Sequence, residues 1–183
     1  MNLPNILSLC RILLAVLFTL FMSMGDHWAL TAALFCFLLA SLTDWLDGYL
    51  ARKLNLITDL GKLLDPLADK ILVAAAFVCF TEMGFCPAWI TIAILFREFA
   101  VTGLRMLLVD KGVVLPADGW GKWKTVGQMA YCLIGLIGIA VAEPGSEAYQ
   151  NVEQYSLYLA YVVVAITLIS GGNYFRKALP SLA

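Results

Sequence analysis

Six long apolar segments, separated by short polar stretches, dominate the pattern of the chain. They cover residues 5–24, 28–50, 62–82, 87–109, 120–142 and 153–173. Each is about as long as the roughly 20 residues that an α-helix needs to cross the hydrocarbon core of a bilayer. The pattern therefore predicts an all-α polytopic membrane protein, a bundle of six transmembrane helices. Because the connections are short, we expect a single integral-membrane domain over residues 1–183.

The composition agrees with this pattern and excludes some classes of function. Of the 183 residues, 62% are apolar, compared with roughly 45–50% in a soluble domain. The formal net charge of -1 gives no basic field for nucleic acid. The five cysteines and the single histidine lack the spacing of a zinc site.

Of the connections between segments, only alternate ones contain lysine or arginine, which predicts an orientation in the membrane. The connections near residues 25–27, 83–86 and 143–152 contain none. The other connections and the C-terminal end hold Arg52, Lys53, Lys62, Arg105, Lys111, Lys122, Lys124, Arg176 and Lys177. Basic residues are retained on the cytoplasmic side of a membrane. We therefore expect both termini in the cytoplasm, in the inner (cytoplasmic) membrane of a cell.

Four aspartates lie at the predicted cytoplasmic ends of the second and third segments. Asp44 and Asp47 are three residues apart, and Asp65 and Asp69 are four apart, so each pair shares one face of its helix. Carboxylates at the edge of hydrocarbon are costly and persist there with partners or a function. Their oxygens are the ligands that hard divalent cations prefer. The spacing predicts a divalent-cation site between two helices, facing the cytoplasm.

Small residues accompany the acids on the same helix faces. Gly48 and Ala51 continue the stripe of the second segment, and Gly61 continues that of the third. Small side chains let a backbone or a ligand approach closely. Arg52 stands at the water boundary, where it could pair with a phosphate or with one of the acids. Together these residues predict a slot for a phosphate-bearing ligand beside the metal site.

The acids alone leave several interpretations open. Four carboxylates could bind two divalent ions, or one ion with an acid left over as a general base, for which we favour Asp69. Alternatively, Asp65-Pro66 is a helix cap followed by a first-turn proline, and Asp47 with Arg52 is a surface ion pair. Four aspartates on two small-residue faces favour the functional interpretation.

The complete run Asp44-x2-Asp47-Gly48-x2-Ala51-Arg52-x8-Gly61-x3-Asp65-x3-Asp69 resembles the signature of the CDP-alcohol phosphatidyltransferase family, with no departure at a defining position. The resemblance implies a CDP-linked lipid donor, a homodimer and Asp69 as general base. It implies two divalent cations, Mg or Mn, as cofactors. The residues implied to hold the metals are Asp44, Asp47, Asp65 and Asp69. Those implied to line the CDP site are Asp47, Gly48, Ala51, Arg52 and Gly61.

Basic residues of the fourth and fifth segments are candidates for binding the acceptor alcohol. They are Arg97, Arg105, Lys122 and Lys124. An arginine in the middle of an apolar segment needs an anionic partner, and several cations on one cytoplasmic cleft favour a phosphorylated acceptor. The alternatives are that Arg97 pairs with a motif aspartate or with an acid near Glu98, and that the lysines are cytoplasmic anchors.

Flanking motifs narrow the resemblance within the family. Asn2-x-Pro4-Asn5-x2-Ser8-x2-Arg11, the stretch 97–105 and Gly121-Lys122-x-Lys124-Thr125-x2-Gln128 are similar to bacterial members that act on glycerol 3-phosphate. Ser8 stands where threonine is commoner and keeps the hydroxyl. The implied reaction converts CDP-diacylglycerol and sn-glycerol 3-phosphate, in contact with membrane lipids, to phosphatidylglycerol phosphate and CMP. The resemblance covers about residues 2–130, and residues 131–183 are hydrophobic and add little to it.

Other functions compete with this one. Within the family, the acceptor could be inositol phosphate, serine or another alcohol. Outside enzymes, a divalent-cation transporter also places acids inside a membrane, but it predicts an acidic pathway through the outer halves of the helices, which lack charge. The glycines Gly135, Gly138, Gly171 and Gly172 fit a homodimer interface or packing within one protomer.

Overall fold

The computed structural model describes the backbone of residues 3–54, 59–110, 112–113 and 119–181. Side chains are described in the same ranges except at residues 3–4, 44–54, 59–66, 69, 110 and 181. All structural statements below refer to these residues.

The described chain forms six α-helices and one short 3₁₀-helix. They are α1 (Leu3–Met24), α2 (His27–Leu54), α3 (Asp59–Glu82), α4 (Ala88–Asp110), α5 (Gly119–Val141) and α6 (Glu147–Ala178), followed by the 3₁₀-helix Leu179–Ser181. Each predicted apolar segment falls on one of the six α-helices, so the prediction of an all-α fold is confirmed.

Helix α6 begins six residues before the apolar segment that predicted it. The side chain of Ser146 caps the helix by accepting a hydrogen bond of 3.1 Å from the backbone N–H of Tyr149. Such a cap satisfies one of the N–H groups that a helix start leaves without a partner. The 32 residues of α6 therefore extend over about 48 Å, longer than the apolar segment alone.

Three of the described helices are long and apolar enough to cross a membrane. They are α1 from Asn5 to Met24, α5 and α6. The apolar part of α2, His27–Thr43, is shorter within the described residues. Helix α4 carries Arg97, Glu98 and Arg105 along its length and is not among these three helices. The chain thus has the apolar helices expected of a membrane protein.

Aromatic side chains join the helices in a shared core. Helix α1 packs along α2 and α3, α5 packs along α6, α6 also contacts α4, and α3 contacts both α4 and α5. The ring of Phe77 on α3 stacks on Tyr131 of α5 with centroids 5.1 Å apart, and Phe80 meets the same ring edge-on at 5.4 Å. Outward-facing apolar side chains such as Phe96 and Val141 are about three-quarters exposed, at 72% and 77%. This outer surface suits contact with lipid chains.

Two glycines of α5 allow close contacts inside the protomer. A Cβ atom at Gly135 would lie 2.8 Å from Cζ of Phe80, and one at Gly138 would lie 2.6 Å from Cγ1 of Val152. Both distances are shorter than van der Waals contact, so neither position has room for a side chain. Of the two uses open to these glycines, packing within one chain is the one that these contacts support.

We expect Gly138→Ala to lower the free energy of unfolding by about 1–3 kcal/mol, because overpacking forces neighbouring atoms to shift. Gly127→Ala on the same helix is the matched control, since its Cβ would lie 3.9 Å from Val163 and alanine is the better helix former. Each purified variant is heated and then analysed by size-exclusion chromatography. The measurement is the midpoint temperature for loss of the monodisperse peak. Equal midpoints for the two variants would contradict the packing role of Gly138.

A basic cavity as the candidate functional site

A cavity of about 580 Å³ lies between helices α3, α4, α5 and α6. The volume is within the range of small-molecule sites, roughly 300–1,000 Å³. Its charged lining residues, among those described, are Lys70, Arg97, Glu98, Arg105, Lys122 and Lys124. Its uncharged polar lining residues are Thr102, Thr125, Ser170 and Tyr174. Among the described residues, five cationic side chains and one carboxylate line this wall.

Arg97 is held in place from two sides. Its Nη1 donates to Oε1 of Glu98 at 3.3 Å, and its Nη2 donates to Oγ of Ser170 at 2.8 Å. A Cβ at Gly171 would lie 2.8 Å from Cγ of Arg97, so the glycine leaves room for the arginine stem. The buried Nε of Arg97 has no hydrogen-bond partner among the described residues. Two of the three guanidinium nitrogens are thus engaged with protein, while the third is buried without a partner among the described residues.

Glu98 lies between two buried cations. Its Oε1 accepts a hydrogen bond of 2.7 Å from Nζ of Lys124 as well as the bond from Arg97. The side chains of Glu98 and Lys124 are only 12% and 9% exposed. Short, charge-assisted bonds of this kind are among the stronger hydrogen bonds in proteins. The carboxylate therefore offsets part of the buried positive charge and restrains both cations.

Arg105 is placed differently from Arg97. Its guanidinium carbon lies 5.7 Å from the centroid of the Tyr174 ring, within range of a cation–π contact. Arg105 and Lys122 are both exposed, and no carboxylate pairs with either among the side chains that are described. The hydroxyl of Tyr174 is buried and has no hydrogen-bond partner within the same set. The mouth of the cavity thus presents two cations that are available to an anionic ligand.

The four basic residues predicted to bind the acceptor all line this cavity. Arg97 pairs with Glu98 itself, whereas the sequence suggested a motif aspartate or another acid nearby. The structure adds Lys70, Ser170 and Tyr174, which sequence reasoning missed. Ser170 and Tyr174 belong to residues 131–183, a stretch that adds little to the family resemblance but supplies part of the cavity wall. A serine and a tyrosine four residues apart in an apolar helix are the signal that could have found them.

The aspartate run lies on α2 and α3, and α3 also contributes Lys70 to the cavity wall. The backbone of α2 passes through Asp44 and Asp47, that of α3 through Asp65 and Asp69, and the two helices contact each other. The side chains of these four aspartates and of Ala51 and Arg52 lie outside the described residues, and the surroundings of Gly48 and Gly61 are not described either. The metal site and the CDP site therefore stay predictions.

Lys70 links the predicted donor half of the site to the described cavity. It follows Asp69 directly in α3 and lines the cavity wall. Consecutive Cα atoms are about 3.8 Å apart. The backbone at Asp69 therefore lies next to the basic cavity. An all-carboxylate donor set on two contacting helices is a chemistry that fits hard divalent cations.

Comparison with known proteins gives consistent results. The model of the CDP-alcohol phosphatidyltransferase family matches residues 1–169. The chain is 41% identical to the CDP-diacylglycerol–glycerol-3-phosphate 3-phosphatidyltransferase of Bacillus subtilis (strain 168), covering 96% of this chain and 94% of that protein. It is 35% identical to the Cereibacter sphaeroides protein of the same name, over 99% and 97% of the two chains. A probable phosphatidylglycerophosphate synthase of Mycobacterium tuberculosis (strain H37Rv) is 36% identical, over 97% and 82%.

Proposed function

The chain belongs to the CDP-alcohol phosphatidyltransferase family, and we propose that it transfers a phosphatidyl group from CDP-diacylglycerol to sn-glycerol 3-phosphate. The products are phosphatidylglycerol phosphate and CMP. The family match confirms the resemblance that the aspartate run carries. The names of the Bacillus subtilis and Cereibacter sphaeroides relatives support this donor and this acceptor. The observation that carries the choice of acceptor is the positive cavity beside α3.

A phosphorylated acceptor suits this cavity better than a neutral alcohol. Five cations against one described carboxylate create a field that attracts a dianion. Arg105 and Lys122, which have no ion pair among the described side chains, can donate to phosphate oxygens. Thr102 and Thr125 add hydroxyl groups to the same wall and can hydrogen-bond the hydroxyls of a glycerol unit. Inositol phosphate shares the charge but is larger, and serine lacks the phosphate.

The donor is proposed to bind at the aspartate run. Asp44, Asp47, Asp65 and Asp69 would hold two divalent cations, Mg or Mn, and Gly48, Ala51, Arg52 and Gly61 would line the CDP site with Asp47. When bound, such cations offset the charge of a pyrophosphate and of the leaving phosphate. The contact between α2 and α3 supports this assignment, because it brings the two aspartate-bearing helices together.

The reaction needs a base close to the acceptor hydroxyl. Asp69 is proposed to accept the proton of that hydroxyl. The oxygen then forms a bond to the phosphorus on the lipid side of the pyrophosphate, and the bond from this phosphorus to the bridging oxygen breaks, releasing CMP. Because Lys70 lines the cavity directly after Asp69 in the chain, an acceptor in the cavity would lie near the base. The described cations would hold the acceptor phosphate while its hydroxyl reacts.

The proposed membrane arrangement follows from the helices and the basic residues. The six helices would form a single domain that crosses the inner membrane six times, with both termini and the site facing the cytoplasm. Soluble glycerol 3-phosphate and CMP would then exchange with the cytoplasm, while the acyl chains stay among membrane lipids. We propose a homodimer, as the family resemblance implies.

Purified protein tests the assignment directly. CMP release is measured with CDP-diacylglycerol in mixed micelles, a divalent cation, and separately glycerol 3-phosphate, inositol phosphate, serine or glycerol. We expect release with glycerol 3-phosphate to exceed release with every other acceptor. Release with another acceptor and none with glycerol 3-phosphate would refute the proposed substrate. Flux of divalent cations into liposomes without CMP release would instead support a transporter.

A further inference from the structure

Helix α6 contributes two buried polar residues to the cavity, Ser170 and Tyr174. They are four residues apart and share one helix face, and they are 2% and 6% exposed. Both lie beyond the family match, which ends at residue 169. A buried polar group is costly in an apolar helix unless it has a partner. The contacts of these two side chains therefore indicate what they do.

Ser170 forms a hydrogen bond with Arg97 of another helix. The serine oxygen accepts a hydrogen bond of 2.8 Å from Nη2 of Arg97, which lies 73 residues away in the sequence. The adjacent Gly171 leaves the space that the arginine stem occupies, since a Cβ there would meet Cγ of Arg97 at 2.8 Å. Together the serine and the glycine determine where α4 presents this guanidinium.

Tyr174 supports the second arginine. Its ring lies under Arg105, 5.7 Å from the guanidinium carbon. The ring also packs in a small apolar cluster with Leu104 and Leu108 of α4, which fixes its position. A guanidinium that stacks on a ring keeps its N–H groups available at its edges. Arg105 is therefore restrained while its donors remain available to a ligand.

We infer that α6 positions the two arginines of the acceptor site. Ser170 positions Arg97, and Tyr174 positions Arg105. This inference rests on the proposed function, because it assumes that the cavity binds the acceptor phosphate. Arg97 has two engaged nitrogens and maintains the positive field of the wall. Arg105 is the cation that meets the phosphate. Ser170 and Tyr174 are positioning residues and need not touch the substrate.

The first experiment separates the tyrosine ring from its hydroxyl. In the CMP-release assay with the purified full chain, Tyr174→Leu keeps apolar packing but loses the ring, and should raise the KM for glycerol 3-phosphate about fivefold. Tyr174→Phe keeps the ring and should stay within about twofold of the unchanged protein. The KM for CDP-diacylglycerol and kcat should change little in both. If Tyr174→Phe raised the KM for glycerol 3-phosphate as much as Tyr174→Leu does, the proposed role of the ring would be refuted.

A double-mutant cycle tests whether Tyr174 acts through Arg105. Arg105→Ala alone should raise the acceptor KM, and adding Tyr174→Leu should raise it no further, since the two side chains act as one unit. If Tyr174 only fills space, the increase in acceptor KM caused by Tyr174→Leu would add to the increase caused by Arg105→Ala. Additive losses would therefore refute the inference.

The variant Ser170→Ala tests the contact between Ser170 and Arg97. Loss of a hydrogen bond to a charged group should raise the acceptor KM about tenfold. Inorganic phosphate, used as a competitor of glycerol 3-phosphate, should bind this variant and Tyr174→Leu more weakly by the same factors as the acceptor. This readout reports binding without turnover.

Matched controls lie on the same helix. Ser156 is buried as deeply as Ser170, at 2% exposure, and lies about 21 Å away along the axis. Tyr158 is exposed and absent from the cavity wall. Ser156→Ala and Tyr158→Leu should leave the acceptor KM unchanged. If the unchanged protein releases no CMP with glycerol 3-phosphate, the proposed function fails. If it is active and the Ser170 and Tyr174 variants match these controls, only the positioning role fails.

Discussion

Asp69→Asn is expected to reduce kcat by about 10³-fold, at the upper part of the range for loss of a general base. Asparagine has the same shape as aspartate but cannot accept the proton of the acceptor hydroxyl. The KM for CDP-diacylglycerol should change much less than kcat, because three other aspartates remain to hold the donor. The measurement is steady-state CMP release at saturating glycerol 3-phosphate.

Asp65→Asn distinguishes a base from a residue that only binds metal. Its activity should recover partly when the concentration of Mg or Mn is raised, whereas that of Asp69→Asn should not. Asp26→Asn, in the exposed connection between α1 and α2, is the control for loss of a carboxylate and should be fully active. Activity of Asp69→Asn within tenfold of the unchanged protein would exclude Asp69 as the base.

Glu98→Ala is expected to cause a large loss of stability, about 3–5 kcal/mol. Glu98 is the described carboxylate between Lys124 and Arg97, at 2.7 and 3.3 Å. Without it, two buried cations lose a shared counter-charge in a wall that is already positive. Glu98→Gln keeps the shape and one acceptor oxygen, so its loss should be smaller, about 1–3 kcal/mol. Thermal inactivation of the purified variants in detergent measures both effects.

A ligand effect makes the Glu98 prediction specific to the cavity. An anion bound there supplies negative charge that the missing carboxylate no longer provides. Saturating glycerol 3-phosphate or inorganic phosphate should therefore raise the thermal-inactivation midpoint of Glu98→Gln by more than it raises the midpoint of the unchanged protein. Glu82→Gln, at an exposed position at the end of α3, should show no such difference. Equal ligand effects in all three proteins would show that the anion does not bind beside Glu98.

The helices were the most predictable part of this protein. Apolar segments of membrane-spanning length depend only on local composition, and all six coincide with helices of the structure. Their ends were less predictable, because α6 begins at a cap, Ser146, whose hydrogen bond to Tyr149 extends the helix into polar sequence. The three glycine contacts, at Gly135, Gly138 and Gly171, depend on neighbouring helices and could not be assigned from the sequence.

Some features of the candidate site were likewise predictable from the sequence, and others were not. The basic residues Arg97, Arg105, Lys122 and Lys124 were recognisable in sequence because charges are rare in apolar segments. Two of their contacts were not recognisable, because they join residues far apart in the chain. Glu98 and Lys124 are 26 residues apart, and Arg97 and Ser170 are 73 apart. Lys70 was missed although it lies inside the apolar segment 62–82 and directly follows Asp69.

By itself, the sequence determined the helical class, the apolar segments, the spacing of the four aspartates and the family. Each of these depends on residues close together in the chain, where helix geometry dictates which side chains share a face. Only the tertiary structure decided that five cations from three helices line one cavity. It also decided that Arg97 is engaged by Glu98 and Ser170, whereas Arg105 rests on Tyr174 with its donors available. Those differences arise from packing between distant helices, which local pattern does not encode.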